Sequence, residues 1–243
     1  MSPERRIVIA IDGPAGAGKS TLARQLAQDL GYTYLDSGAM YRAVGVLAAR
    51  RGVSASDERV LEQIARESSF EFHWRGEDLR TIADGEDLTE AIRTTDASKD
   101  ASLVSRLPLV REALVARQRT MGSVGGVVME GRDIGTVVFP AAELKVFLTA
   151  SNRERGHRRW AELRERGEAV ELEQVISDVE ARDLADSTRI HSPLRPAPDS
   201  VVIDTSQMDI ERVRHTLQRL ARARIDPNRE EESGSHPLPT DLL

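Results

Sequence analysis

One short stretch constrains this chain more than any other: Gly13-Pro14-Ala15-Gly16-Ala17-Gly18-Lys19-Ser20, which reads G-x-x-x-x-G-K-S, with Thr21 next. In front stands Ile7-Val8-Ile9-Ala10-Ile11, an apolar β-branched run. Behind it Leu22, Leu26 and Leu30 recur at helical spacing. A strand, a glycine-rich loop and a helix in that order are the context of a phosphate-binding P-loop. The residue types follow from the chemistry. Glycines let successive backbone N–H groups turn toward an anion with no Cβ in the way. The helix start adds partial positive charge at the same place. Lys19 can reach the β- and γ-phosphates of a nucleoside triphosphate, and the Ser20 hydroxyl can ligate Mg²⁺.

A length of 243 residues allows one α/β core with embedded lobes. Cysteine is absent, which excludes a disulfide framework and thiolate metal sites. The net charge of −6 gives no reason to expect nucleic-acid binding. There is no basic, apolar leader and no apolar run long enough to span a bilayer, so no membrane role and a cytoplasmic location are expected. Lysine occurs only at Lys19, Lys99 and Lys145; the rest of the positive charge is arginine. As a whole-chain trend this reads as base composition. Individual arginines need their own arguments, because a guanidinium can grip phosphate with two parallel bonds.

After the first helix Gly31 fits a C-cap, and Tyr32-Thr33-Tyr34-Leu35 a short strand. Asp36 or Ser37 can cap the next helix, which turns Met40, Val44 and Leu47 inward. Arg42, one turn in, is either a solvated residue or a ligand for an anion at the helix start. Residues 57–68 read as a helix. Phe70 to Trp74 and Leu79 to Ala83 then alternate around turns, which predicts a small antiparallel lobe in which His73 and Trp74 pack. From Ser98 to Met121 the pattern is helical, with Pro108 at a first turn. Arg111 falls on the apolar stripe of that stretch, at its exposed margin or holding a ligand.

Val127-Val128-Met129 reads as a buried strand ending in Glu130, with Arg132 and Asp133 beyond it and Gly131 and Gly135 suited to close approach by a ligand. Leu144 to Leu148 is a further core strand, and Ser151 to Glu154 a capping box. The helix it opens carries Arg153, Arg155, Arg158, Arg159, Arg164 and Arg166, either a solvated face or a lid over phosphates. Helix 171–190 is the most informative. Its stripe Leu172, Val175, Ile176, Val179 continues at the same spacing as Arg182, Asp186 and Arg189. One face turns from apolar to charged, which a cleft for a polar anion explains. Val201 to Asp204 is the last strand, and Asp209 caps a helix with Ile210, Val213, Leu217 and Leu220 inward. Residues 226–243 read as a disordered tail.

Four segments, Ile11 to Thr21, Leu35 to Arg42, Glu130 to Val138 and Arg182 to Arg189, together resemble bacterial cytidylate kinases, in order and at that family's spacing over about residues 5–225. The resemblance implies an α/β fold: a P-loop NTPase-like parallel sheet flanked by helices, with a small α+β monophosphate-binding lobe and a helical lid. Core would be 1–37, 100–150 and 190–225; lobe 38–99; lid and return helix 151–189. It implies ATP-dependent phosphorylation of CMP and dCMP. Gly13, Pro14, Ala15, Gly16, Ala17, Gly18, Lys19, Ser20 and Thr21 would bind ATP, with Ser20 on Mg²⁺. Ser37, Arg42, Arg132 and Arg189 would hold the CMP phosphate. Ser102, Arg111 and Asp133 would read the cytosine edge, and Arg182 and Asp186 the ribose. Lys19, Arg132 and Arg189 would carry catalysis. Glu130 stands where some members have Asp, and the tail lies outside the pattern. A monomer is expected. The competing readings are a kinase for UMP, AMP or another small acceptor, and a P-loop switch, although no Asn-Lys-x-Asp guanine reader is present.

Overall fold

Runs of β-branched residues alternate with amphipathic helices along this chain, and in the computed structural model they form a parallel sheet with a separate, smaller α+β unit. The structure describes residues 5–75 and 78–227. Two compact units divide the described residues: 5–34 with 124–227, and those between 35 and 123. Residues 100–123 thus cluster with the smaller unit.

In the larger unit, strand β1 (Val8–Asp12) leads through the P-loop into α1 (Lys19–Leu30), and β2 (Thr33–Asp36) begins at its end. The sheet runs β2-β6-β1-β7-β8, where β6 is Val127–Gly131, β7 Leu144–Thr149 and β8 Val201–Asp204. The pairs β1–β6, β1–β7 and β7–β8 are parallel, with Asp12 opposite Gly131 on one side and Phe147 on the other. Strand β1 is therefore central. Ile9, Ala10 and Ile11 are fully buried, as the continuous apolar run requires when both faces are covered. The P-loop leaves the carboxyl end of this strand, where open parallel sheets place ligands. Helix α1 packs on β6 and on α8 (Ile210–Ile225). Gly31 ends α1 in the left-handed region (φ 63°), and Asp209 caps α8 by accepting from the Arg212 N–H. Val213, Leu217 and Leu220 are buried, but Ile210, expected inward, is exposed and lines the cavity beside the P-loop. Helices α6 (Asn152–Glu165) and α7 (Leu172–Thr188) pack against each other. The Ser151 hydroxyl caps α6 through the Glu154 N–H.

The smaller unit has its own core, which includes Met40, Val44, Leu61, Ile64, Leu88, Val104 and Leu114. These come from α2 (Ser37–Arg50), α3 (Glu58–Glu67), α4 (Thr95–Val104), α5 (Pro108–Gly122) and the segments around an antiparallel sheet β3-β4-β5 (Phe70–Arg75, Asp78–Ala83, Glu86–Asp87). The helical stretch from Ser98 is two helices, with Pro108 at the first turn of the second. Register pairs Phe70 with Ala83 and Trp74 with Leu79. Phe70 and Phe72 supply the packing. His73 and Trp74, expected to pack, are exposed, because the strand runs out beyond the core before reaching them. The turn expected at 76–77 and the tail from 228 lie outside the described residues.

Candidate active site

The P-loop takes its shape from glycine and from internal bonds. At Gly13 (φ 149°) an added Cβ would fall 2.0 Å from the Leu148 carbonyl oxygen, so the loop starts in van der Waals contact with β7. Lys19, the first residue of α1, turns back and donates from Nζ to the Pro14 carbonyl at 2.7 Å. Its ammonium is buried. That burial, reinforced by Arg132 and Arg182, lowers it from 10.5 to about 7, against the pull of Glu130 and Asp12. An anion among these cations removes the repulsion that depresses Lys19. The geometry is therefore suited to a multiply charged ligand.

Around Lys19 the larger unit gathers charges from distant parts of the chain. Arg132 Nε donates to Asp186 Oδ2 at 2.9 Å. Arg189 lies 3.8 Å from Asp186 and 4.0 Å from Asp133. The side chains of Asp133, Asp186 and Arg189 are all less than a tenth exposed. Burial would raise Asp186, but Arg132, Arg182 and Arg189 overcome it and hold the carboxyl below its usual range. Helix α7 follows its sequence stripe as far as Asp186: Val175 and Val179 are buried apolar and Asp186 is buried and charged, while the helix ends at Thr188 and Arg189, expected on it, is its extended C-cap.

The other predicted acceptor residues belong to the smaller unit. Ser37 is buried at the start of α2, and Arg42, half-buried, donates to Asp36 Oδ2 at 2.7 Å. Asp36 also caps the helix through the Ala39 N–H. Arg111 is 5 % exposed, which rules out the stripe's margin. It donates to the Ser105 carbonyl at 3.1 Å and lies 5.5 Å from the centre of the Tyr41 ring. Ser102 is half-buried on α4.

Beside the loop, lined by Gly16 to Leu22, is a cavity of about 470 Å³ that Arg158, Arg159, Thr205 and Met208 complete. Its size suits a nucleoside. Arg158 is fixed at its wall by bonds to the Thr205 hydroxyl and carbonyl at 2.9 and 2.8 Å. The arginines of α6 are therefore not simply a solvated face: Arg155 is 3 % exposed, while Arg164 and Arg166 are exposed.

Two features escape sequence reasoning. Asp12 at the end of β1 is buried and accepts the N–H groups of Ile134 and Gly135 at 2.8 and 2.7 Å. These bonds anchor the turn Ile134–Val138 that follows Arg132 and Asp133. Gly135, expected to approach a ligand, instead lies against Asp12 and the Lys145 stem. The available signal was an acid closing an apolar strand just before the loop. Arg155 and Asp183 are the second feature; both hold the loop backbone. Glu130 is also buried and accepts the Tyr34 hydroxyl at 2.5 Å. Ser20 is exposed at the start of α1. Among the described residues no cluster of three or more metal-ligating side chains exists. The Ser20 hydroxyl is an oxygen donor of the kind Mg²⁺ takes, an ion that commonly keeps several waters and is held by substrate phosphates with few protein ligands.

The curated relatives of this chain are similar over nearly all of it. A cytidylate kinase of Syntrophotalea carbinolica is 49% identical, covering 93% of this chain and 97% of the relative. One of Pelotomaculum thermopropionicum is 54% identical over 84% and 91%. A third, of Geobacter sp. (strain M21), is 47% identical over 91% and 95%. The sequence profile described as cytidylate kinase matches residues 9–223, which takes in the P-loop, β6 with the turn after it, and α7. On that match, and on relatives of this identity and coverage, the chain belongs to the cytidylate kinase family.

Proposed function

We propose that the chain catalyses ATP-dependent phosphorylation of CMP and dCMP to the diphosphates through the cluster around Lys19. The observation that carries this reading is the burial of Lys19 in the field of Arg132 and Arg182, with Arg132 in turn bonded to Asp186. The donor loop and a set of anion-binding charges are one electrostatic system.

The acceptor phosphate of CMP is already largely dianionic near neutral pH, since the second pKa of a phosphate monoester is about 6. No general base is needed, and none is assigned. The obstacle is bringing two polyanions together. The loop amides from Gly13 to Thr21 and the start of α1 hold the donor phosphates. Lys19, Arg132 and Arg189 neutralise charge that develops on the transferring group. Ser37 and Arg42 are assigned to the CMP phosphate with Arg132 and Arg189. Ser102, Arg111 and Asp133 take the cytosine edge, where a carboxylate can accept from the exocyclic amine. Arg182 and Asp186 take the ribose. Ser20 would hold Mg²⁺, which would supply further neutralisation of the donor phosphates. We assign the chain to the cytoplasm, and we assign it as a monomer, a state that sedimentation of the purified protein tests.

Lys19→Ala should lower kcat by about a thousandfold or more while leaving CMP affinity within a few-fold, because the lysine contacts the donor. Steady-state kinetics with direct CMP titration measures both, and unchanged turnover would sink the assignment. A nucleotide panel at fixed ATP should show CMP and dCMP leading. Preference for AMP or UMP would favour another acceptor, and slow ATP hydrolysis with no acceptor phosphorylated would favour a switch.

A further inference from the structure

The P-loop is held from outside by two side chains that meet each other. The Ala15 carbonyl accepts from Arg155 Nη1 at 2.9 Å, and the Ala15 N–H donates to Asp183 Oδ1 at 3.4 Å. Arg155 and Asp183 form an ion pair. Arg155 is also committed elsewhere: Nε donates to the Ala150 carbonyl at 2.9 Å, and Nη2 to Asn152 Oδ1 at 2.5 Å. With every guanidinium nitrogen engaged and 3 % of the residue exposed, Arg155 is not placed to swing onto a phosphate. From the inner side Lys19 holds the neighbouring Pro14 carbonyl. At Gly16 (φ 74°) the backbone passes so close to α6 that a Cβ would lie 2.7 Å from the Arg155 carbonyl oxygen.

We propose that Arg155 and Asp183 are positioning residues for the donor triphosphate. They fix both polar groups of Ala15, and so aim the N–H groups that follow, from Gly16 to Lys19. A loop this rich in glycine has many conformations to lose on binding. A frame that settles its shape beforehand lets the amides meet the phosphates without reorganisation. Neither residue touches a reacting atom. Asp183 directly follows Arg182 and lies three residues before Asp186, so α7 carries both the frame of the donor loop and charges assigned to the acceptor. The inference rests on the reading of this loop as the ATP site.

The test is a set of KM and kcat measurements for each substrate on the full chain. Asp183→Asn keeps an oxygen for the Ala15 N–H and removes the charge opposite Arg155. It should raise the ATP KM about tenfold and leave the CMP KM within twofold, with little change in melting temperature. Arg155→Gln should act in the same direction, Arg155→Lys should retain part of the effect of the native residue, and Arg155→Gln with Asp183→Asn should be no worse than Arg155→Gln alone. Asp178→Asn, on the exposed side of α7, should change neither KM. If Arg155→Gln does not fold, Asp183→Asn and Arg155→Lys carry the comparison. An ATP KM unchanged within twofold in Asp183→Asn overturns the proposal, as does an equal rise in both KM values, the mark of a loosened fold. Direct ATP titration of the unsubstituted chain checks the underlying reading: no binding there removes the ATP site itself, whereas normal binding with indifferent variants removes only the positioning role.

Discussion

Asp12 shows how one buried side chain sets the state of its surroundings. Burial raises its carboxyl from 3.8 to about 6, against the hydrogen bonds from Gly135 and Ile134 that favour the charged form. The folded protein therefore binds the proton more tightly than the unfolded chain between about pH 4 and 6. Asp12 contributes stability below pH 4 that is lost as pH rises through 6. Asp12→Asn has no such titration. The difference in unfolding free energy between the native chain and Asp12→Asn should shift, against the native chain, by about 3 kcal/mol from about pH 3 to pH 7, the shift converted at about 1.4 kcal/mol per unit. Urea denaturation across that range measures it. A difference that stays flat, or grows with pH, would show that the two amide bonds outweigh burial.

Among the elements, α2 and α7 show how a helix carries more than packing. Asp36 caps α2 and also pairs with Arg42, so a structural bond and a candidate phosphate ligand share one carboxylate. Asp36→Ala should cost about 1 kcal/mol for the lost cap. It should also raise the CMP KM several-fold, with the ATP KM unchanged, because Arg42 loses the partner that orients it. Calorimetry and substrate kinetics on one preparation check both effects; equal changes in the two KM values would argue against the assignment of Arg42. In α7 the apolar half anchors the helix and the charged half meets Lys19 and Arg132, a division that follows directly from the unbroken spacing of Val175, Val179, Arg182 and Asp186.

For the molecule as a whole, the assignment of Lys19 to the donor gives a thermodynamic expectation. Each nucleotide that binds the folded chain alone should stabilise it, by about 2.7 kcal/mol at a hundred times its Kd. Lys19→Ala should keep the stabilisation by CMP and lose most of that by ATP. Thermal unfolding with each nucleotide separately measures this. Loss of the CMP effect in Lys19→Ala would mean that the lysine holds the acceptor.

Much of this was legible because it is local. The strand-loop-helix around Lys19, the caps at Asp36, Ser151 and Asp209, and the stripe of α7 each depend on residues within a few turns of one another, and periodicity reports such relations directly. The family followed from four such segments in order. What stayed hidden depends on partners far along the chain. Asp12 meets the Ile134 N–H 122 positions away only because β1 lies next to β6, and Arg155 meets Ala15 140 positions away because β7 is the other neighbour of β1. Residue type and spacing do not specify which strands are neighbours. His73 and Trp74 depart from the expected packing because alternation says which residues share a face, while the extent of the core beneath them decides whether that face is covered. The amino-acid order thus determined the P-loop signature of this chain and which family it belongs to. The folded arrangement decided how the gripping loop is held, because a buried polar group must find its partner wherever packing places one.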